Sequence, residues 1–562
     1  MDKIKVMALG GLDEEGKDLY VIEVNDDIFV INAGFKYPDK NAPGIDFIIA
    51  DYTYLVENKD RVRAFILTKS KKVNFGGLPY IYKQVKAPIY CTPLTKLLLT
   101  DFSNKYMQEN DYDFRIVELP GQIKIKNYVF DLFSTCCSMP STFGFSLRTN
   151  SGNIVYCGDF IVEYSNEKYF NLDLNTLGKI AENPTLLLLS DSLNSIKPGY
   201  CSPSHRLQPL LTKYFKEASG RIFVALSSQN LYHFNELFKI CRDFNKKICL
   251  YDDVSKKIYS LRSMSKSDFF NPKNIVPLED VLRTKDQELV ILISDEGQKL
   301  YEKLSILANN ENEDKQIRIR ESDTFIMACP ATDRNEVIAT STVDELYKTG
   351  CNVKYVTRKE LQKMHAFEED LKMLLSLLKP KYYMPIQGYY VNLLANAKLA
   401  FDMHLGLSHS NIFLFDNGQS FNYVDGKCTP DFNVLDKVKI GDVMIDGIGV
   451  GDVVNEIINE RSRLSEDGVV VLSIGVSKKD RKISFMQDIQ MRGFLFLKDK
   501  EADIMLKEMT KIFLDETEKF LIETKDFDPK STEETINKKI SSLLLRGNNR
   551  NPVVRSNIVV TE

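Results

Sequence analysis

Apolar and polar positions alternate from the first residues onward, and the alternation predicts a series of short strands. Residues 4–9 form one such run, stopped by Gly10-Gly11. Leu19–Val24 and Ile28–Ile31 are β-rich runs around Asn25-Asp26-Asp27, a hairpin signature, and Asn32-Ala33-Gly34 closes the second. An apolar strand, Val62–Thr68, comes next. The pattern then predicts a helix around Leu78–Val85, a strand at Pro88–Cys91 and a helix from Thr92 to about Met107. Gln122–Phe133, Phe143–Arg148, Ile154–Cys157 and Thr185–Leu189 read as strands. Strands with interspersed helices predict an α/β layered domain.

From about 204 to 345 the chain alternates again. Helices are expected at Leu207–Ala218 and Leu231–Phe244, and strands at Arg221–Leu226, Lys247–Tyr251 and Glu288–Ile293. After Thr324–Met327 the chain is expected to rejoin the first domain through Val353–Val356, helix Glu368–Leu378, strand Tyr382–Ile386 and helix Tyr390–Met403. Gly441–Asp452 is glycine-rich and reads as a linker. The last stretch predicts a small α+β unit with strands at Val469–Val476 and Phe494–Leu497. Its helix Glu501–Glu523 places Met505, Met509, Ile512, Phe513 and Phe520 on one face. Ser531-x-x-Glu534 is a capping box before Ile536, Ile540, Leu543 and Leu544, and Val553–Val560 ends the pattern as a β run. The expected boundaries are 1–203 and 346–440 for a split first domain, 204–345 for an insert, 441–465 for a linker and 466–562 for the last unit.

At 562 residues the chain is too long for one core. With 43% hydrophobic and 27% charged residues it has the composition of a globular protein. A net charge of -4 means that any nucleic-acid surface must be a local patch. No apolar run approaches the roughly 18 residues of a membrane helix, and no signal peptide is evident. A cytoplasmic protein is expected. The ten cysteines include no C-x-x-C pair, so reduced and mostly buried thiols are expected. The five histidines all lie beyond residue 204.

That distribution matters at Thr68–Gly77. The strand ending in Thr68 and the helix start Phe75-Gly76-Gly77-Leu78-Pro79-Tyr80 frame a loop containing Lys69, Lys71 and Lys72. Ammonium groups carry no lone pair for a cation at neutral pH and repel it. A lysine-rich loop is otherwise read as a solvated turn. Asp159, in Cys157-Gly158-Asp159-Phe160, follows a strand end, where α/β folds put functional groups and where caps and turns also fall.

These frames resemble the metal loop of a metallo-β-lactamase-type nuclease. Over nearly the whole length the chain resembles ribonuclease J, a bacterial enzyme of that superfamily with an inserted β-CASP domain. The resemblance rests on Ala8-Leu9-Gly10-Gly11 with Gly16-Lys17, Gly44-Ile45-Asp46, Cys157–Phe160, Leu189-Ser190-Asp191-Ser192, Asp446-Gly447-Ile448-Gly449 and Leu464-Ser465-Glu466-Asp467-Gly468. It implies a metallo-β-lactamase αββα sandwich, an inserted α/β β-CASP domain and a small α+β C-terminal domain that serves oligomerisation. It also implies two metal ions, zinc or manganese, activating a water for phosphodiester cleavage.

Carried over by position, the family's ligands fall at Lys69, Lys71, Val73, Asn74, Cys137, Asp159 and Gln387, with a supporting Asp at Asn32. Of these seven ligand positions Asp159 alone keeps its residue. The resemblance therefore implies a lost metal site and no cofactor, with Lys69 or Lys71 expected to neutralise Asp159. In the phosphate-recognising loops His365 and Asn230 match, whereas Gln229, Ala366 and Phe367 depart from the pattern. His365 reads equally as an RNA contact or a structural residue. The expected role is a non-catalytic subunit that assembles with an active ribonuclease J paralogue and supports RNA processing; a homo-oligomer and RNA are kept as further partner readings. The alternatives are a divergent RNA endo- or 5′-exonuclease, with Asp191, Glu368 and Glu369 as further carboxylates, and a stand-alone RNA-binding protein.

Overall fold

The structure, a computed structural model, describes residues 2–38, 42–106, 111–164, 169–264, 274–313, 317–433, 438–447, 449–450, 455–486, 489–493, 500–523, 528–548 and 550–561. Contacts divide the chain into two units: Met1–Tyr37 with Phe47–Val443, and Pro38–Asp46 with Met444–Glu562.

The first unit is built on two facing sheets. In one, Ile4–Gly10 pairs antiparallel with Leu19–Val24, which turns at Asn25 and pairs with Asp27–Ile31. Asp27–Ile31 then pairs in parallel with Val62–Ile66. The second sheet runs Tyr382–Ile386, Thr185–Asp191, Asn153–Cys157, Thr142–Leu147, Tyr128–Thr135, Gly121–Ile125. Period-two alternation sends Ile4, Val6, Ala8, Tyr20, Ile22, Phe29 and Ile31 to one buried layer, where they meet Phe130, Leu132, Phe145, Tyr156, Leu187 and Met384 of the other sheet. The opposite face of the second sheet, with Phe133, Val155, Leu188 and Tyr383, is covered by helices that bury Leu177, Leu371, Leu375 and Leu399.

The run expected as one strand at Gln122–Phe133 is a hairpin. Lys126 adopts a positive φ and lets Tyr128–Thr135 fold back on Gly121–Ile125. The helix expected over Leu78–Val85 is limited to Leu78–Ile81.

The insert is a six-stranded parallel sheet in the order Ile275–Val276, Lys247–Leu250, Leu289–Asp295, Ile222–Ser227, Thr324–Met327, Asn352–Tyr355. One face buries Leu211, Leu226, Leu237 and Leu292, the other Phe223, Ile291, Leu304 and Phe325. The boundary expected at 345 therefore needs correction, because Asn352–Tyr355 pairs with Thr324–Met327 as an edge strand of the insert. Strand Tyr382–Ile386 is the next to lie in the first unit's facing sheets.

Within the second unit, Val469–Ser477 is the central strand, paired antiparallel with Lys482–Met486 and Gln490–Arg492 and parallel with Val553–Thr561. Helices Lys500–Glu523 and Lys530–Asn548 bury Met509, Phe513, Phe520, Ile536, Ile540 and Leu544 against Val470, Leu472 and Ile474. The stretch expected as a linker contains helix Asn455–Asp467. The strand expected at Phe494–Leu497 lies outside the described residues. Segment 42–46 belongs to this unit: Asp46 N–H donates to Ile445 O at 2.9 Å, and its carboxylate accepts from Gly447 N–H at 2.8 Å. Arg461 Nη1 reaches Pro43 O at 3.4 Å.

Inside the insert, Arg221 and Asp323 form a buried two-point ion pair, Nε to Oδ1 at 2.9 Å and Nη2 to Oδ2 at 2.6 Å. Removing the guanidinium strands the Asp323 carboxylate away from water. Arg221→Met is expected to cost about 3–5 kcal/mol, read as an earlier urea midpoint in far-ultraviolet circular dichroism. An unchanged midpoint would mean that the pair adds nothing to stability.

Candidate functional site

Thr68 leaves the first sheet held by Asn32, whose Oδ1 accepts from Thr68 N–H at 3.0 Å and from its hydroxyl at 3.1 Å. Asn32 Nδ2 donates to Tyr156 OH at 3.1 Å, tying the loop root to the facing sheet. Gly34 admits the return of the chain, since a Cβ there would lie 2.1 Å from Val73 O. The loop thereby carries Lys69, Lys71 and Asn74 to the end of the sandwich, where Asp159 and Gln387 follow strands of the other sheet and Asp191 ends one.

Lys69 is buried and its ammonium forms an ion pair with Asp159 Oδ1. Asp159 also faces His365, whose Nδ1 lies 3.3 Å from Asp159 Oδ1 and 2.8 Å from Asp191 Oδ2. Burial opposes both charges of the Lys69–Asp159 pair, but their attraction prevails. It holds Lys69 above its ordinary value and Asp159 well below the usual carboxylate range, with His365 and Lys71 adding to the latter. Lys71 is pushed the other way, down to about 8, by burial of its ammonium end and then by repulsion from Lys69.

A third buried carboxylate, Asp18, joins Asp159 and Asp191 in the cluster. Asn74 Nδ2 donates to its Oδ2 at 2.9 Å and Gln387 Nε2 to the same oxygen at 2.8 Å. Burial, and then the neighbouring Asp159 charge, push Asp18 up to about 7, while the Gln387 hydrogen bond pulls it down. The amide oxygens of Asn74 and Gln387 are buried and accept no hydrogen bond within the protein among the described residues.

The remaining sequence candidates separate into those in the cluster and those outside it. Cys137 is buried and its thiol donates to Thr142 Oγ1 at 3.1 Å. Val73 brings no polar side chain. Lys72 pairs with Glu296 of the insert at 2.7 Å. Asn230 is a helix cap, its Oδ1 accepting from His233 N–H at 3.2 Å. Glu368 and Glu369 pair with Lys372 one turn along their own helix, at 2.6 and 2.9 Å. Asp18 escaped the sequence reading, although it adjoins Gly16-Lys17, one of the segments that carry the resemblance.

The comparisons with known proteins follow this geometry. Residues 456–561 match the model of the ribonuclease J C-terminal domain. Over 553 residues the chain is 30% identical to "Ribonuclease J 2" of Staphylococcus epidermidis, covering 98% of this chain and 97% of that one. The chain belongs to the ribonuclease J family. "Ribonuclease J 2" of Staphylococcus aureus is 29% identical over 558 residues, at the same coverage. A crystal structure of a protein of unknown function from Enterococcus faecalis superposes with a TM-score of 0.52 at 15% identity, covering 75% of this chain and all of that one, a likeness of fold alone.

The facing sheets with an inserted parallel sheet are thus the metallo-β-lactamase and β-CASP parts of a ribonuclease J, an RNA-processing family. The residues present do not fit a dinuclear metal centre. Lys69 holds a positive charge against Asp159, and Asn74 and Gln387 turn N–H donors toward Asp18 where a metal needs lone pairs. Among the described residues no group of three or more His, Cys, Asp or Glu side chains is placed to hold a metal ion.

Two outcomes test this electrostatic arrangement. Lys69→Met is expected to destabilise the chain by roughly 3–5 kcal/mol, and adding Asp159→Leu to recover much of the loss; thermal denaturation reads both. Asp18 titrates at about 7 in the folded chain against an ordinary 3.8, so its contribution to stability is fully present below 3.8 and is lost as pH rises through about 7. Asp159, held low, has the opposite sign and is common to both chains compared. Between about 4 and 7, wild type is therefore expected to lose stability relative to Asp18→Asn as pH rises. A stability difference independent of pH would refute the raised value.

Proposed function

We propose that this chain is a non-catalytic ribonuclease J-like subunit that assembles in the cytoplasm with an active ribonuclease J paralogue and supports RNA processing and decay. The observation that carries this reading is the Lys69–Asp159 pair. The carboxylate left from the ligand set is already neutralised by the protein's own cation, and the polar groups around it serve folding rather than a metal ion. A C-terminal unit that matches the family model in the same chain as such a site fits a chain retained for association, because association surfaces and metal ligands are separate requirements. No helix among the described residues is long and apolar enough to cross a membrane.

One observation favours a second reading, a divergent endo- or 5′-exonuclease. His365 Nδ1 faces Asp191 at 2.8 Å, the type of contact that orients an imidazole for general acid or base work. Cleavage of RNA that is abolished by His365→Gln would support this reading over the first.

A tagged pull-down from the native cell, followed by intact-complex mass measurement, tests the main proposal. A stoichiometric ribonuclease J chain with its histidine cluster intact is the expected companion. Recovery of this chain alone or as a homo-oligomer would sink the subunit reading.

A further inference from the structure

The C-terminal unit carries a groove of about 460 Å³ between helix Asn455–Asp467, helix Lys530–Asn548 and strand Val553–Thr561. Among the described residues its walls present Arg463, Lys538 and Arg555, together with Asn537, Ser541 and Asn551, and Glu460 is the one acidic residue. Three cations against one carboxylate make this a positive concavity on a chain whose net charge is -4.

The cations differ in how they are held. Arg463 is fixed by neutral acceptors alone: Nε donates to Asn551 O at 3.0 Å, and Nη2 to Asn551 Oδ1 at 3.0 Å and Pro552 O at 2.8 Å. Its charge has no carboxylate partner among the described residues. Lys538 makes no ion pair among the described residues and is exposed. Arg555 pairs with Glu460 at 2.7 Å and keeps 61% of its side-chain surface exposed. Asn537 uses its amide oxygen to accept from Ser556 N–H at 2.8 Å, which leaves its NH2 group as a donor. The groove thus combines uncompensated charge with neutral donors, the chemistry that receives phosphate oxygens.

We infer that this groove binds the phosphodiester backbone of single-stranded RNA. Arg463 serves as the fixed anchor, and Lys538 and Arg555 as the flanking contacts. Among the described residues no aromatic ring lines the groove, so the described lining offers bases no stacking platform, and recognition is by backbone charge without sequence preference. The cations stand on three separate elements. The site lies outside the degenerate cluster and does not depend on which partner the chain takes.

The test is fluorescence anisotropy of a labelled oligouridylate with the full-length chain alone, titrated at several chloride concentrations. Lys538→Gln and Arg555→Gln replace exposed side chains, so folding is not at stake, and an unchanged thermal midpoint checks this. Each is expected to weaken binding roughly three- to tenfold and to lower the slope of log affinity against log salt by about one. Absence of RNA binding by wild type, or equal affinity and slope in the variants, would overturn the assignment. Displacement of the RNA by inorganic phosphate at matched ionic strength would reassign the groove to a free anion and overturn it as well. None of these outcomes bears on the pull-down, so the two proposals fail separately.

Discussion

The ion pair between Lys69 and Asp159 is the constraint around which the end of the sandwich is organised. A carboxylate at the mouth of two facing sheets costs several kcal/mol if buried alone, and Asp159 is buried there. Lys69 supplies the missing charge from the opposite sheet. His365 supplies a further contact and hands the balance on to Asp191. The neighbouring substitutions follow from the same electrostatics. With a single lysine matched to Asp159, Asp18 is left with neutral amide donors and a raised proton affinity, and Lys71, beside Lys69, is driven toward neutrality.

This arrangement separates two properties that a metal centre joins. A divalent ion binds carboxylates together and also activates water. A lysine ammonium does the first and not the second. The sandwich keeps its closure, with Asn32 pinning Thr68 and Tyr156. The third lysine of the loop, Lys72, adds a contact of another kind, reaching Glu296 at the end of an insert strand.

Much of the fold was legible because short alternating or continuous apolar runs mark the strands of the sandwich, and glycine and asparagine mark turns. The boundary of the insert was not. Asn352–Tyr355 is a short edge strand, and nothing in its composition says which of two sheets it joins. Lys126 likewise gave no sign that Gln122–Phe133 would fold back on itself. In the site, Lys69 and Asp159 could be paired from the resemblance because each occupies a motif position. Asp18 could not, since its partners Asn74 and Gln387 are 56 and 369 residues away and its raised proton affinity comes from burial and the nearby Asp159 charge.

Segment 42–46 carries a consequence for how such a chain can be rearranged in evolution. It belongs to the second unit by its hydrogen bonds to Ile445 and Gly447 and by the reach of Arg461 to Pro43, yet it is encoded within the sequence of the first. A recombination crossover near residue 444 would exchange the C-terminal portion between paralogues but leave these five residues behind from the other parent. Hybrid genes joined there inherit a mismatched seam at Gly44, where an added Cβ would lie 2.5 Å from Arg461 Nη1. The two units are thus inherited most safely together, as one block.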